Sequence, residues 1–303
     1  MYRTFTYDGV LASSQRAAWQ LDDVLPENAE LDFTRPFLPE ALARTGGAAG
    51  LAPAERLVLN HIRGHEYLAM FGVVEEFILP FVLDHARPLL NGDDYRVRAL
   101  LQFAGEEAKH IQLFRRFRTT FRRGFGEACP VIGPADAIGA EILAHDPLAV
   151  ALFVLQIEWM TQAHYLDAVR ADTALEPLFK DLLRCHWIEE AQHARLDAMM
   201  VEALAEGRSE AAIAAAFDQY LAIVAFMDGG LRAQAAMNLA ALERRIGRSL
   251  PQDACTALLA QQHQAARWTF LGSGMAHPRF RASLARLSPA LVARLDAAAP
   301  AYD

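Results

Sequence analysis

The sequence predicts an all-α fold, and three observations carry that prediction. From Pro53 onward no stretch alternates apolar and polar residues as a strand does. Long apolar runs recur instead at helical spacing. Proline, glycine and Ser or Asp caps punctuate those runs where helices start and stop.

Residues 1–53 are expected to form an irregular arm, because Asp22-Asp23, Pro26, Pro36, Pro39 and Gly46-Gly47 interrupt them. The aromatic residues Trp19, Phe33 and Phe37 argue that the arm packs on the main body. Helix A starts at Pro53, a residue suited to a first turn, and runs to about Ala86, with Pro80 as a predicted kink. Asn91-Gly92-Asp93 makes the next turn. Helix B follows from about Asp94 to Arg123, and Gly124-Phe125-Gly126 closes it.

A loop with Pro130, Gly133 and Pro134 leads to a short helix near Ala135–Leu143. Asp146-Pro147 opens helix C, which extends to about Ala171. Helix D begins near Leu175 or Pro177 and ends near Gly207. Ser209 caps helix E, which runs to about Ile246, and Ser249-Leu250-Pro251 opens helix F, which ends near Gly272. Two short helices follow Pro278 and Ser288-Pro289. The expected organisation is an arm (1–53) on a helical domain (54–303), with a core bundle over about 54–207 and accessory helices over about 209–303.

Bulk composition narrows the function. Of 303 residues 53% are apolar and 22% charged, which suits a globular chain with a substantial core. The 29 basic and 37 acidic side chains leave a net charge of -8, which argues against a nucleic-acid partner. The run of arginines from Arg115 to Arg123 reads as a solvated helix end that complements the helix dipole. Three cysteines with no Cys-x-x-Cys spacing point to a reducing, cytoplasmic setting, with Cys185 as a small buried hydrophobe. The N-terminus lacks an apolar signal core. Charges break the longest apolar runs, so no membrane partner is expected.

Those charges are the chemically informative residues. Glu107-Ala108-Lys109-His110 and Glu190-Ala191-Gln192-His193 repeat one motif, 83 residues apart from 107 to 190. Glu and His three positions apart share one helix face and can ligate one cation. In helix B, Phe103, Glu107, His110 and Phe114 form the inward stripe, which leaves Glu106 to one side and more exposed. In helix D, His186, Glu190 and His193 fall on a single stripe, and Glu189 points off it. Glu158 interrupts the apolar run Leu148–Ile157 of helix C. Glu75-Glu76 interrupts that of helix A. A carboxylate inside an apolar helix is costly to bury unless it is paired or bound to a metal.

For helix A the expected ligand is Glu76, since Ala69, Gly72 and Val73 on its face leave space beside a cluster. Glu75 is then a supporting or surface group, and so are His61 and His65. The spacing is 31 residues from 76 to 107 and 32 from 158 to 190, as two antiparallel helix pairs would give. Two Glu-x-x-His helices with one Glu from each of two others make up the ligand set of di-metal carboxylate bundles. Oxygen and imidazole donors suit iron or manganese.

Over roughly residues 54–246 the chain resembles the ferritin-like di-iron superfamily. His186-x-x-x-Glu190-x-x-His193 is similar to the corresponding helix of p-aminobenzoate N-oxygenase and related arylamine N-oxygenases, in which the extra His binds one iron. The resemblance implies a ferritin-like four-helix bundle with additional C-terminal helices. It also implies a metal set of Glu76, Glu107, His110, Glu158, His186, Glu190 and His193, the same residues serving catalysis. Small subunits of ribonucleotide reductase carry a radical-forming Tyr one turn after the helix B histidine, where this chain has Phe114.

The expected function is thus a cytoplasmic di-iron oxygenase holding two Fe ions, with Mn as the alternative metal. O2 would be its co-substrate and a small organic molecule its substrate, oxidised at the nitrogen of an amine. Electrons would come from an external reductase or ferredoxin-type donor, since no nucleotide-binding fingerprint accompanies the motifs. A homodimer is the expected assembly. A di-iron C–H hydroxylase or oxidase, and an iron-binding protein with ferroxidase activity, are the alternatives.

Overall fold

A computed structural model describes residues 5–48 and 50–303, and the described residues are helical with no strand among them. The long helices start and stop where local chemistry directs. Helix α4 (Pro53–Ala86) places a proline at its first position, and Glu55 Oε2 accepts the Ala52 N–H at 2.8 Å. Pro80 sits inside this helix. Helix α5 (Asp94–Phe125) begins where Asp93 accepts the Tyr95 N–H at 2.9 Å, and it ends at Gly126 with φ of 80°.

Helix α7 (Pro147–Ala163) is capped by Asp146, which accepts the Leu148 N–H at 2.8 Å. It continues as a π-helical turn over His164–Val169. Helix α8 (Pro177–Ala205) is capped by Glu176, which accepts the Phe179 N–H at 2.5 Å. Helix α6 (Ala135–Leu143) fills the connection between α5 and α7.

These elements form two hairpins, α4 with α5 and α7 with α8, and α5 packs on α8. Helix α9 (Glu210–Ile246), capped by Ser209 and stopped at Gly247 with φ of 70°, lies against α4 and α7. Its length and composition alone would let it cross a bilayer; here Ile213, Phe217, Tyr220, Val224 and Leu231 are buried in the fold. Helix α10 (Gln252–Arg267) leads through a π-helical turn at Trp268–Gly272 into α11 (Ser273–Ala276), α12 (Pro278–Leu287) and α13 (Pro289–Ala298). No residue pattern marks the two π-turns in advance.

The N-terminal segment is more ordered than expected. It carries α1 (Tyr7–Ala17), whose buried Val10, Leu11 and Ser14 sit against α5 and α8, and the short α2 (Leu21–Val24) and α3 (Glu40–Ala43). The arginine run of α5 is not simply a solvated end. Arg116 Nη1 holds Asp22 Oδ1 at 2.5 Å and the Leu25 carbonyl at 2.8 Å, and Arg123 Nη2 holds the Ala29 carbonyl at 2.5 Å. These bonds tie the arm to α5.

Candidate metal centre

Four helices deliver acidic and imidazole side chains to one buried point. Glu75 comes from α4, Glu107 and His110 from α5, Glu158 from α7, and His186, Glu190 and His193 from α8. Each is at most 3% exposed. Two groups have ligand atoms all within 4.8 Å of one another: Glu75, His110, His186 and Glu190, and Glu107, His110, Glu190 and His193.

The distances show which carboxylates span the cluster. Glu190 Oε1 lies 3.0 Å from His110 Nδ1 and 2.9 Å from His186 Nε2, while its Oε2 lies 3.3 Å from His193 Nδ1. Glu107 turns one oxygen to each side as well, with Oε1 2.8 Å from His193 Nδ1 and Oε2 3.9 Å from His110 Nδ1. Glu75 Oε1 sits 3.0 Å from His186 Nε2 and 3.7 Å from His110 Nδ1, on the His110 side. Glu158 pairs with Glu190 and faces the charge of His193, on the other side. Glu107 and Glu190 therefore turn their oxygens to both sides of the cluster. Glu75, His110 and His186 flank one position, and Glu158 and His193 the other.

The sequence expectation of Glu76 is replaced by Glu75. Glu76 is one-third exposed and its Oε1 accepts from Arg115 Nη2 at 2.7 Å, so it points away from the cluster. Neighbouring helix positions lie about 100° apart, and α4 is turned so that Glu75 faces inward. Gly72, one of the small residues offered in favour of Glu76, faces Phe114 of α5, where a Cβ would make only an ordinary contact at 3.7 Å.

Glu106 and Glu189, expected to point aside, are also buried, at 3% and 0% exposure. Each braces the histidine of the opposite motif. His110 Nε2 donates to Glu189 Oε2 at 2.8 Å, and His193 Nε2 donates to Glu106 Oε2 at 2.9 Å. A carboxylate on the outer ring nitrogen fixes the tautomer and leaves Nδ1 as the inward donor. Glu106 is held in turn by Ser14 Oγ at 3.0 Å and Gln102 Nε2 at 2.9 Å, and Glu189 by Lys109 Nζ at 2.5 Å. The doubled Glu-Glu in both motifs was the available sequence signal for these braces.

Aromatic rings close the site. Phe103 stacks on His193 with centroids 4.0 Å apart, and Phe71 and Phe114 meet His186 edge-on at 5.0 and 5.1 Å. Trp19 from the arm stacks over His110 at 5.8 Å. Trp187 stacks on Tyr165 at 4.5 Å. His61 and His65 are buried away from the cluster: His61 Nε2 bonds the Arg35 carbonyl at 2.9 Å, and His65 packs 4.7 Å from Phe121. Asp197, one turn after His193, has no exposure and was missed by sequence reasoning.

The electrostatics are those of a site built for a cation. Burial, then the Glu107 charge, pushes the Glu75 carboxyl up to about 8. Burial and then Glu190 likewise raise Glu107 and hold Glu158 well above the carboxylate range. Burial also raises the Asp197 carboxyl well above its ordinary range. Burial works against charge on the three imidazoles, yet the surrounding glutamates raise all three. Burial opposes ionisation of Glu190 too, but the charges of His186 and His193 hold it well below its ordinary value.

Even so, the cluster does not satisfy itself. Glu75 Oε2, both Glu107 oxygens, His110 Nδ1, Glu158 Oε2, Glu190 Oε1 and His193 Nδ1 are buried without a hydrogen-bond partner. Leaving one buried charge uncompensated costs several kcal/mol. Cations placed among these atoms would take up the lone pairs and displace the protons. The donor set, oxygen-rich with three imidazoles, fits a pair of first-row transition ions.

Comparison with known proteins agrees with this chemistry. The chain matches the model of the family described as p-aminobenzoate N-oxygenase AurF over residues 10–252. Similar solved structures include an R2-like ligand-binding oxidase with aerobically reconstituted Mn/Fe cofactor, at 15% identity and TM-score 0.43, covering 85% of this chain and 90% of that chain. A variant of that oxidase with non-activated Mn/Mn cofactor aligns at 15% identity and TM-score 0.44, covering 86% and 90%. No curated protein matches significantly.

Proposed function

The chain belongs to the p-aminobenzoate N-oxygenase family, and from that premise we propose that it is a di-iron oxygenase oxidising the amine nitrogen of a small organic substrate. The observation that carries the reading is the convergence of buried, unpartnered carboxylate and imidazole atoms from four helices on one point.

When bound, a pair of iron ions supplies the redox chemistry with O2, and electrons come from an external donor. The chain's own residues set its terms. Glu107 and Glu190 would each reach both ions; Glu75, His110 and His186 would hold one, and Glu158 and His193 the other. Glu189 and Glu106 keep His110 and His193 in the tautomer that offers Nδ1. His186 adds a neutral donor on the Glu75 side, which reduces the positions open to other ligands there. Phe71, Phe103 and Phe114, each at most 4% exposed, exclude bulk water. An apolar cavity of about 20 Å³, bounded by Phe71, Val74, Ile157 and Met160, offers space on the scale of a diatomic gas. The free cysteines fit a reducing, cytoplasmic setting.

Anaerobic Fe(II) titration, followed by single turnover with O2 and p-aminobenzoate as probe, tests the reading. The expected result is about two irons per chain and a hydroxylamine or nitro product by mass spectrometry. A chain that takes up many irons per protein, or one whose iron-loaded form leaves a panel of arylamines unoxidised, overturns it. Ring or side-chain hydroxylation of the probe would reassign the enzyme as a C–H hydroxylase.

A further inference from the structure

Behind the Glu158 and His193 side of the centre lies a second feature, a cleft of about 900 Å³ between α1, α8 and α12. Its walls are the outer faces of helices that hold the centre. Trp159 follows the ligand Glu158, Ala198 follows Asp197, and Ser13 precedes Ser14, which bonds Glu106. Cavities of this size accommodate whole organic molecules rather than solvent alone.

The charge in the cleft is one-sided. Three guanidinium groups line it, from Arg195, Arg279 and Arg286, against one carboxylate, Glu202. Arg286 Nε already binds Glu202 Oε1 at 2.9 Å. Among the described residues neither Arg195 nor Arg279 pairs with a carboxylate. Arg195 Nη1 donates to the neutral Gln192 Oε1 at 3.0 Å, and Arg279 lies over the Trp159 ring at 5.0 Å.

Apolar side chains supply the other half of a binding site, since Phe5, Val10, Ala198 and Met199 line the same cleft. Trp159 is 6% exposed, with the His277 ring stacked on it at 5.2 Å and the Arg279 guanidinium over it at 5.0 Å, so it holds Arg279 in place. Two unneutralised guanidiniums beside an apolar wall match an anion attached to an apolar body.

We propose that this cleft binds a small organic anion, a carboxylate or a phosphate ester, with its charge on Arg195 and Arg279 and its apolar part against Phe5, Val10 and Met199. The binding stands on the cleft alone. That the bound molecule is the oxygenase substrate, its charged end kept outside the buried centre, rests on the function proposed above.

Isothermal titration of the iron-loaded full chain with benzoate, phenyl phosphate and the neutral benzamide tests the assignment. At least one anion should bind tenfold or more tighter than benzamide, and the tighter of the two identifies carboxylate or phosphate as the natural group. Arg195→Gln with Arg279→Gln should lose at least tenfold of the anion affinity with iron content and melting temperature unchanged. Arg279→Lys should restore part of it. Should the double variant misfold, the exposed Arg279→Gln alone must still weaken the anion severalfold. Equal binding of all three probes, or anion binding that survives loss of the arginines, overturns the proposal. Iron loading at two per chain without anion preference removes the cleft assignment and leaves the oxygenase. Anion binding by a chain that takes up no iron does the reverse.

Discussion

Helix α4 contributes to two buried polar regions with opposite characters. Two turns before Glu75, the Tyr67 hydroxyl bonds His164 Nδ1 at 2.9 Å, His164 Nε2 bonds Ser273 Oγ at 2.9 Å, and Ser273 donates to the Thr269 carbonyl at 3.1 Å. Every polar atom of that relay has a partner, and burial drives the His164 pKa down to about 3, so the ring is neutral. The Glu75 cluster is as deeply buried, yet seven of its ligand atoms lack partners. Burial of polar groups therefore does not distinguish a site from a brace. A self-satisfied network fastens helices together, whereas unpartnered lone pairs aimed at one point call for a ligand.

The largest expected effect breaks the cluster side of this contrast. Glu190→Ala removes the carboxylate that faces all three histidines, so metal affinity should fall more than about 100-fold, beyond the range of supporting residues. Iron retained per chain after desalting reads this directly. Retention of both irons by Glu190→Ala would refute the assignment of Glu190 to both ions. The variant also leaves His186 and His193 without their main counter-charge, so the metal-free form should melt at a lower temperature than the metal-free parent.

The braces come next. Glu106→Gln and Glu189→Gln keep shape but weaken the acceptor for His193 and His110, which should cost about 10–100-fold in metal affinity. The two should differ. Glu106 is supported by the neutral Ser14 and Gln102, whereas the charge of Glu189 is already offset by Lys109. Glu106→Gln should be the more damaging. Lys109→Met should strengthen binding on the His110 side, which competition with a chelator would measure.

The relay predicts a pH effect independent of metal. His164 is neutral when folded down to about pH 3, but in the unfolded chain it takes a proton below its ordinary pKa of 6.5. The unfolded state thus binds more protons between those limits. The associated stability is present above pH 6.5 and is lost as pH falls toward 3, at about 1.4 kcal/mol per pH unit for one proton. His65, lowered to about 3 by burial and then by Arg118, acts in the same direction. His164→Gln should flatten the dependence of denaturation free energy on pH by about one proton. An unchanged slope would mean that the ring is protonated in the fold.

Much of this arrangement was legible in the chain because its signals are local. Asp93, Asp146, Ser209, Gly126 and Gly247 mark helix ends through their own caps and backbone angles. The Glu-x-x-His spacing sets ligands on one face regardless of what surrounds them. What stayed hidden depends on neighbours distant in sequence. Helix α1 becomes worth forming only because α5 and α8 offer it a groove. The cross-bracing of His110 by Glu189 joins residues 79 apart. The choice between Glu75 and Glu76 depends on how an apolar helix is rotated, and α4 is apolar on nearly every side, so periodicity could not decide it.

That choice also gives the smallest expected effect. Glu76 shares its outward stripe with Leu79 and with Leu83, which is 41% exposed, and its partner Arg115 has a side chain 67% exposed. An exposed ion pair of this kind contributes about 0–1 kcal/mol. Glu76→Ala should therefore keep both irons, full turnover and a nearly unchanged melting temperature. Glu75→Ala should lose the iron on the His110 and His186 side first, because it removes the terminal carboxylate there. The adjacent pair isolates orientation from composition: both variants delete the same group from the same turn, and only the inward one should change metal stoichiometry. Loss of iron from Glu76→Ala with retention in Glu75→Ala would mean that α4 is rotated by one residue from the arrangement described.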